Sequence, residues 1–167
     1  DRLVLVATIP GGRLTAPMPL KTAYLLTWAP LMRSEQRLRG FVEHTLGPET
    51  RRRRPKVVRR LMALKRAHPQ SEQAWRAQAT AGVLFDPFGR QRRITQPTLI
   101  LQGTADQVVN PVNAELLADL IPGARLRSLE GAGHLVCWDE PRRFARVVAR
   151  FLNDRALSTS VRDQGLR

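Results

Sequence analysis

Two short stretches concentrate the side chains able to move protons. In the first, Gly103-Thr104-Ala105-Asp106-Gln107-Val108-Val109-Asn110, an acid sits a few residues past the aliphatic run Thr98-Leu99-Ile100-Leu101. In the second, Leu129-Glu130-Gly131-Ala132-Gly133-His134, a histidine follows the run Ala124 to Leu129. A carboxylate that engages one ring nitrogen of a histidine fixes its tautomer and leaves the other nitrogen free to act as a general base. Each stretch also has a plainer reading. Asp106 can make a local turn hydrogen bond, and a lone histidine after a glycine turn is often a surface or supporting residue. His44 and His68 fall on a predicted helix and a helix end, and read as structural or exposed.

For Asp106 and His134 to meet, the runs before them must be neighbouring strands. Leu3-Val4-Leu5-Val6-Ala7 and Thr98-Leu99-Ile100-Leu101 are continuous aliphatic runs, as expected of parallel strands buried on both faces. Ala124 to Leu129 alternates Leu126 and Ser128 with Arg125, Arg127 and Leu129, so one face is less buried, which suits a strand near a sheet edge. Between the last two strands, Asn110 and Pro111 predict a helix start. Val112, Leu116, Leu117, Leu120 and Ile121 form its apolar face, and Pro122-Gly123 stops it. Pro141 opens a final helix with Phe144, Val147, Val148, Phe151 and Leu152 at helical spacing. Alternating strands and helices imply an α/β fold with right-handed crossovers. An acid just past a parallel strand sits at the carboxyl edge of such a sheet, where these folds build their sites. Gly103 is expected to permit the exit turn there, and the glycines before His134 a sharp bend.

The segment between the first two strands has a different texture. Ser34 predicts a helix start with Leu38, Phe41, Val42 and Leu46 on one side. Pro55 predicts another with Val57, Val58, Leu61 and Met62 inward, and Ser71 a third bearing Ala74, Trp75, Ala77, Gln78 and Ala81. The expected organisation is a partial α/β core over residues 1–12 and 96–152, an all-helical cap over 13–95, and a disordered tail over 153–167.

Composition narrows the function classes. The 167 residues suffice for one hydrophobic core, and no apolar run is long enough to span a membrane. Leu3 to Ile9 is too short and wrongly flanked for a signal peptide. One cysteine, Cys137, excludes an internal disulfide and fits a cytoplasmic location. The net charge of +14 invites a nucleic-acid reading focused on Arg51, Arg52, Arg53 and Arg54. Against it, the positive charge is nearly all Arg, as GC-rich codon usage produces, and is not interleaved with aromatics as stacking platforms require. No specific nucleic-acid partner and no membrane partner are therefore expected. Three dispersed histidines, one cysteine and the lack of a phosphate-binding glycine loop argue for no metal and no cofactor.

Taken together, the two chemical stretches resemble the α/β-hydrolase fold superfamily. Its members end with a strand leading into G-x-x-D-x-V-V, then a helix, another strand and a G-x-G-H turn before a last helix. Here the match runs from about Ile94 to Leu152, with Asp1 to Gly12 similar to the strand after the family's nucleophile elbow. The resemblance implies the C-terminal part of the family's parallel sheet, three strands with flanking helices, carrying an inserted helical cap. It implies Asp106 as the triad acid and His134 as the general base. It also implies that cap aromatics and Met line an apolar acyl pocket, with Trp28, Met32, Phe41, Trp75 and Phe85 as candidates; packing within the cap is the alternative for each.

One part of the family pattern is missing. The nucleophile should stand in a G-x-S-x-G elbow, and no such motif occurs in these 167 residues. Ser34, Ser71, Ser128, Ser158 and Ser160 lie in predicted helices, a strand or the tail. Position 1 is Asp1, so the expectation is a processed, trimmed or partial sequence. The parent is expected to hydrolyse a small apolar ester, lactone or related carbonyl compound, and this chain alone to be inactive. An Asp-nucleophile epoxide or haloalkane hydrolase, a carbon–carbon bond hydrolase and a non-catalytic truncated binding protein are the alternatives. The first strand, lacking the neighbour that bears the nucleophile, should leave a bare apolar edge through which the chain self-associates.

Overall fold

The computed structural model describes residues 1–28 and 34–154, with the side chains of 26–28 outside the description. Three parallel strands lie in the order of the sequence: β1 (Leu3–Val6), β2 (Thr98–Gly103) and β3 (Arg125–Leu129). The register sets Val4 beside Leu99 and Val6 beside Leu101, and on the other side Leu101 beside Arg127 and Gly103 beside Leu129. β2 is therefore the middle strand, and it is buried along its whole length.

Alternation along β2 divides the core. Leu99 and Leu101 face the last helix, α8 (Pro141–Leu152), and pack with Leu129, Ala132, Val136 and Phe151. Ile100 faces the opposite way, against Ala114, Leu117 and Ile121 around α6 (Val112–Leu120). Each fully buried Leu or Ile contributes about 1.5–3 kcal/mol over leaving it in water, so these two clusters hold the sheet between its helices.

β1 departs from the expectation of burial on both faces. It is only half-buried, and Val6 is 36% exposed. The reason is position: β2 covers one edge of β1, and no described strand pairs with the other. β3 matches its expected edge character, with Leu129 alone fully buried. Two apolar positions expected to face inward lie outside the core, Val112 on the first turn of α6 and Leu152 on the last turn of α8. The terminal turn of a helix extends past the sheet it covers, so period alone overstates burial there. α6 begins one residue later than expected, with Pro111 at its cap position, and Asn110 Oδ1 accepts the Val112 N–H at 3.2 Å.

Between β1 and β2 the chain is helical: α1 (Leu20–Trp28), α2 (Ser34–Thr45), α3 (Pro48–Arg53), α4 (Pro55–Ala67) and α5 (Glu72–Leu84). Ser71 caps α5 by accepting the Ala74 N–H at 3.1 Å, as its residue type predicts. α1 and α3 carry weak sequence signals. α1 lacks a clean apolar stripe, and α3 is a six-residue helix that starts at Pro48 and is half arginine. Arg52 and Arg53 of α3 pair with Glu49 one turn earlier, at 3.0 and 2.6 Å. These helices build a core of their own from Val42, Leu46, Leu61 and Met62. Leu135 and Trp138, from beyond β3, pack against that core and join it to the sheet's carboxyl end. No helix among the described residues is long and apolar enough to cross a membrane.

Candidate active site

Asp106 and His134 meet at the carboxyl edge of the sheet. His134 Nδ1 lies 3.0 Å from Asp106 Oδ2. The Asp106 side chain is fully buried and that of His134 is 27% exposed. A carboxylate only accepts, so the ring nitrogen facing it carries the proton, and Nε2 is left to exchange one with a reactant. The turn reading of Asp106 holds at the same time: Oδ1 accepts the Val108 and Val109 N–H groups at 2.8 and 3.0 Å. Those bonds aim the other oxygen, Oδ2, across the edge. Gln102 Nε2 also donates to Oδ2, at 2.9 Å.

The loops that carry the pair are joined through their backbones. Thr104 N–H donates to the Leu129 carbonyl at 3.1 Å and Ala105 N–H to the Ala132 carbonyl at 2.9 Å. Thr104 Oγ1 accepts the Gly131 N–H at 2.9 Å. Gly103 opens the expected exit turn, its carbonyl accepting the Asp106 N–H at 3.2 Å, but its φ is not left-handed, so the turn by itself does not call for glycine. It is instead required by proximity, because a Cβ there would overlap the carbonyl oxygens of Ala132 and Gly133. Of the two glycines before His134, Gly131 does bend the chain, with φ +72°. Gly133 serves close approach, since its Cβ would lie 2.7 Å from the Gly47 nitrogen.

His44 has a more definite place than its sequence context suggested. It is buried on α2, with Nε2 2.7 Å from Thr22 Oγ1 of α1. Thr22 Oγ1 in turn donates to the carbonyl of Gln107, the residue after Asp106. The hydroxyl therefore accepts from Nε2–H, which leaves Nδ1 without a hydrogen-bond partner among the described residues. Burial is the main force lowering the His44 pKa, with Lys21 and Arg51 adding to it and the Gln107 hydrogen bond and Asp106 opposing it. An unfolded histidine titrates near pH 6.5, so below that pH the unfolded chain binds a proton the folded chain resists. Stability should therefore fall as pH drops through the window just below about 6.5 and be flat above it. The urea midpoint is expected to be lower at pH 5.5 than at 7.5, with the difference shrinking in His44→Gln. An equal drop in that variant would remove His44 as the cause.

Of the candidate pocket residues, Phe41, Trp75 and Phe85 fall among those whose side chains are described. Phe41 and Trp75 pack on each other, ring centroids 6.1 Å apart and inclined at 64°, which joins α2 to α5. Phe85 is 50% exposed and lies beyond α5, where its carbonyl accepts the Gly12 N–H at 2.8 Å. Met32 and the side chain of Trp28 lie outside the described residues. A shallow cleft of about 400 Å³ sits apart from the pair, lined by Arg54, Lys56, Val57, Arg60, Cys137, Trp138 and Pro141. Among the described residues, no three His, Cys, Asp or Glu side chains cluster as a metal site would require.

Comparison with known proteins decides the family. The model of the alpha/beta hydrolase fold matches residues 21–141. The chain belongs to the α/β-hydrolase fold family. A polyketide synthase, ThaQ of Burkholderia thailandensis, is 40% identical over 72 residues, covering 43% of this chain and 4% of that protein. Monoacylglycerol lipase abhd6-A of Xenopus laevis is 39% identical over 61 residues, covering 36% of this chain and 18% of the lipase. Among solved structures, a hydrolase from Pseudomonas aeruginosa superposes with a TM-score of 0.71 at 27% identity, covering 92% of this chain and 56% of that one. This α/β-hydrolase chain thus spans a small part of the curated relatives it matches and about half of the solved hydrolase. Gln102 and Asp139 are among the polar side chains at this edge that carry no signal in the sequence. Gln102 was hidden inside an aliphatic run, and Asp139 lies on α7 (Val136–Asp139), too short for a periodic signal.

Proposed function

We propose that Asp106 and His134 are the acid and base of a hydrolytic triad acting on a small ester, lactone or related carbonyl compound. The observation that supports it best is the 3.0 Å approach of His134 Nδ1 to a fully buried Asp106 carboxylate. In this reading Asp106 holds the ring with its proton on Nδ1 and stabilises the imidazolium that forms. His134 Nε2 takes the hydroxyl proton of a nucleophile as that oxygen bonds to the substrate carbonyl carbon. The same proton then passes to the departing alkoxide as the ester C–O bond breaks, and a water activated by Nε2 releases the acid. The lipase among the relatives favours an ester-type substrate.

The 167 residues contain no G-x-S-x-G elbow, so this scheme needs a nucleophile and oxyanion-hole donors supplied by another segment. Both contribute orders of magnitude in rate, so the chain alone is expected to be inactive. The test compares the chain alone with the chain produced together with the segment encoded immediately upstream of Asp1. The readouts are labelling by a serine-directed fluorophosphonate and hydrolysis of short p-nitrophenyl esters. The joined protein should label and turn over esters, and His134→Ala should abolish turnover. Labelling of the chain alone, or turnover that survives His134→Ala, would overturn the proposal.

A further inference from the structure

Asp106 controls the ring of His134, but something else must control where the backbone of His134 sits. That backbone runs through a loop packed against the turn between α2 and α3, and both neighbours of His134 are tied to it. On one side, Leu135 N–H donates to the Thr45 carbonyl at 3.0 Å. On the other, Gly133 N–H donates to Asp139 Oδ2 at 2.7 Å. The same Oδ2 accepts the Gly47 N–H at 2.9 Å. A single carboxylate oxygen therefore draws together two amides from different parts of the chain, one of them immediately before the proposed base.

We propose that Asp139 is a positioning residue for His134, acting by clamping the histidine loop to the α2–α3 turn. The idea rests on the acid–base reading of Asp106 and His134. Three features support it. Asp139 is 2% exposed, and a carboxylate is costly to bury, so its presence needs a compensating task. Its other oxygen, Oδ1, has no hydrogen-bond partner among the described residues, so the carboxylate is not part of a wider polar network that would explain it. Finally, the two clamped residues are both glycines at which a Cβ has no room. At Gly47 it would overlap the Gly131 carbonyl oxygen, and at Gly133 it would lie 2.7 Å from the Gly47 nitrogen. Carboxylate and glycine pair make one unit, with the backbones close enough for one oxygen to bridge them.

Chemically, the clamp divides the control of His134 between two acids. Asp106 selects the tautomer, and Asp139 keeps the ring where Asp106 can reach it. Because Gly47 belongs to the helical segment, a shift of that segment relative to the sheet would carry the base with it. Arg54, which follows α3, donates to the Asp139 carbonyl and fastens the same corner from its other side.

The test uses the full 167-residue chain and reads the ring nitrogens of its histidines by long-range proton–nitrogen NMR. In the unaltered chain His134 should show a single Nδ1–H tautomer. Asp139→Ala should lose that signature in favour of mixed tautomers while His68, exposed at the end of α4, is unchanged. Asp139→Asn keeps one oxygen able to accept both amides and should restore it. A folded Asp139→Ala chain that retains the Nδ1–H form, or an Asn variant no better than Ala, would overturn the clamp.

If Asp139→Ala does not fold, the unaltered chain decides through amide exchange in sub-denaturing urea. Protection of the Gly47 and Gly133 amides and the His134 tautomer should disappear together. A tautomer that outlasts both amides would count against the proposal. Asp106→Asn separates the two levels of argument. If it leaves the His134 signature intact, the acid–base reading itself fails. If it abolishes the signature while Asp139→Ala does not, only the clamp fails.

Discussion

Asp106→Asn is expected, on the proposed triad roles, to cut turnover by about 10⁴-fold in a joined protein that hydrolyses esters, the scale seen when a triad acid is made neutral. The size follows from what surrounds the carboxylate. All four of its partners donate: Val108 and Val109 N–H to Oδ1, and Gln102 Nε2 and His134 Nδ1 to Oδ2. An amide must put an NH2 at one of those two positions. Placed at Oδ2 it faces the Gln102 and His134 donors, and His134 relaxes by moving its proton to Nε2. That tautomer can no longer accept the nucleophile's proton. Placed at Oδ1 the NH2 faces two backbone N–H groups and strands them, at about 1–3 kcal/mol for each buried donor left unsatisfied. Steady-state kinetics on the joined protein measures the loss. Turnover within tenfold of the unaltered protein would show that Asp106 does not serve as the acid.

Gly103→Ala should be the most damaging single methyl in the chain's α/β half. The added Cβ would overlap the carbonyl oxygens of Ala132 and Gly133, which belong to backbone and cannot swing aside. Relief requires the two loops to part, which stretches the bonds from Thr104 N–H to Leu129 and from Ala105 N–H to Ala132. Overpacking of this kind costs about 3 kcal/mol. The urea midpoint should fall accordingly, and the Asp106–His134 contact should be lost along with it. Gly82→Ala supplies the contrast. Gly82 sits exposed within α5, and apart from its chain neighbours and its own helix backbone no atom lies within 4 Å of its would-be Cβ. There alanine should raise stability by about 1 kcal/mol through helix propensity alone. Equal effects of the two substitutions would show that the loops are not packed as described.

The glycines illustrate how far sequence reasoning reaches. That Gly103, Gly131 and Gly133 matter could be read from their places beside Asp106 and His134. Why they matter could not. Only Gly131 takes a left-handed φ that calls for glycine, while the other two make room for backbone arriving from distant segments. Sterics between residues far apart in the chain leave no periodic trace in the sequence.

The sequence by itself determined the alternation of strands and helices, the position of an acid and a histidine past adjacent strands, and the α/β-hydrolase character of the chain. Those properties are local or nearly so: aliphatic runs, capping residues and helical spacing act over a few residues. The tertiary structure alone decided how the polar edge is held. Gln102 against Asp106, His44 through the Thr22 hydroxyl to the Gln107 carbonyl, and Asp139 across Gly47 and Gly133 join residues separated by up to 92 positions. It also decided the exposure of β1, which reads in isolation as a strand buried on both faces. Burial is a property of neighbours, and a strand's own residues say what it could bury against, not what stands beside it.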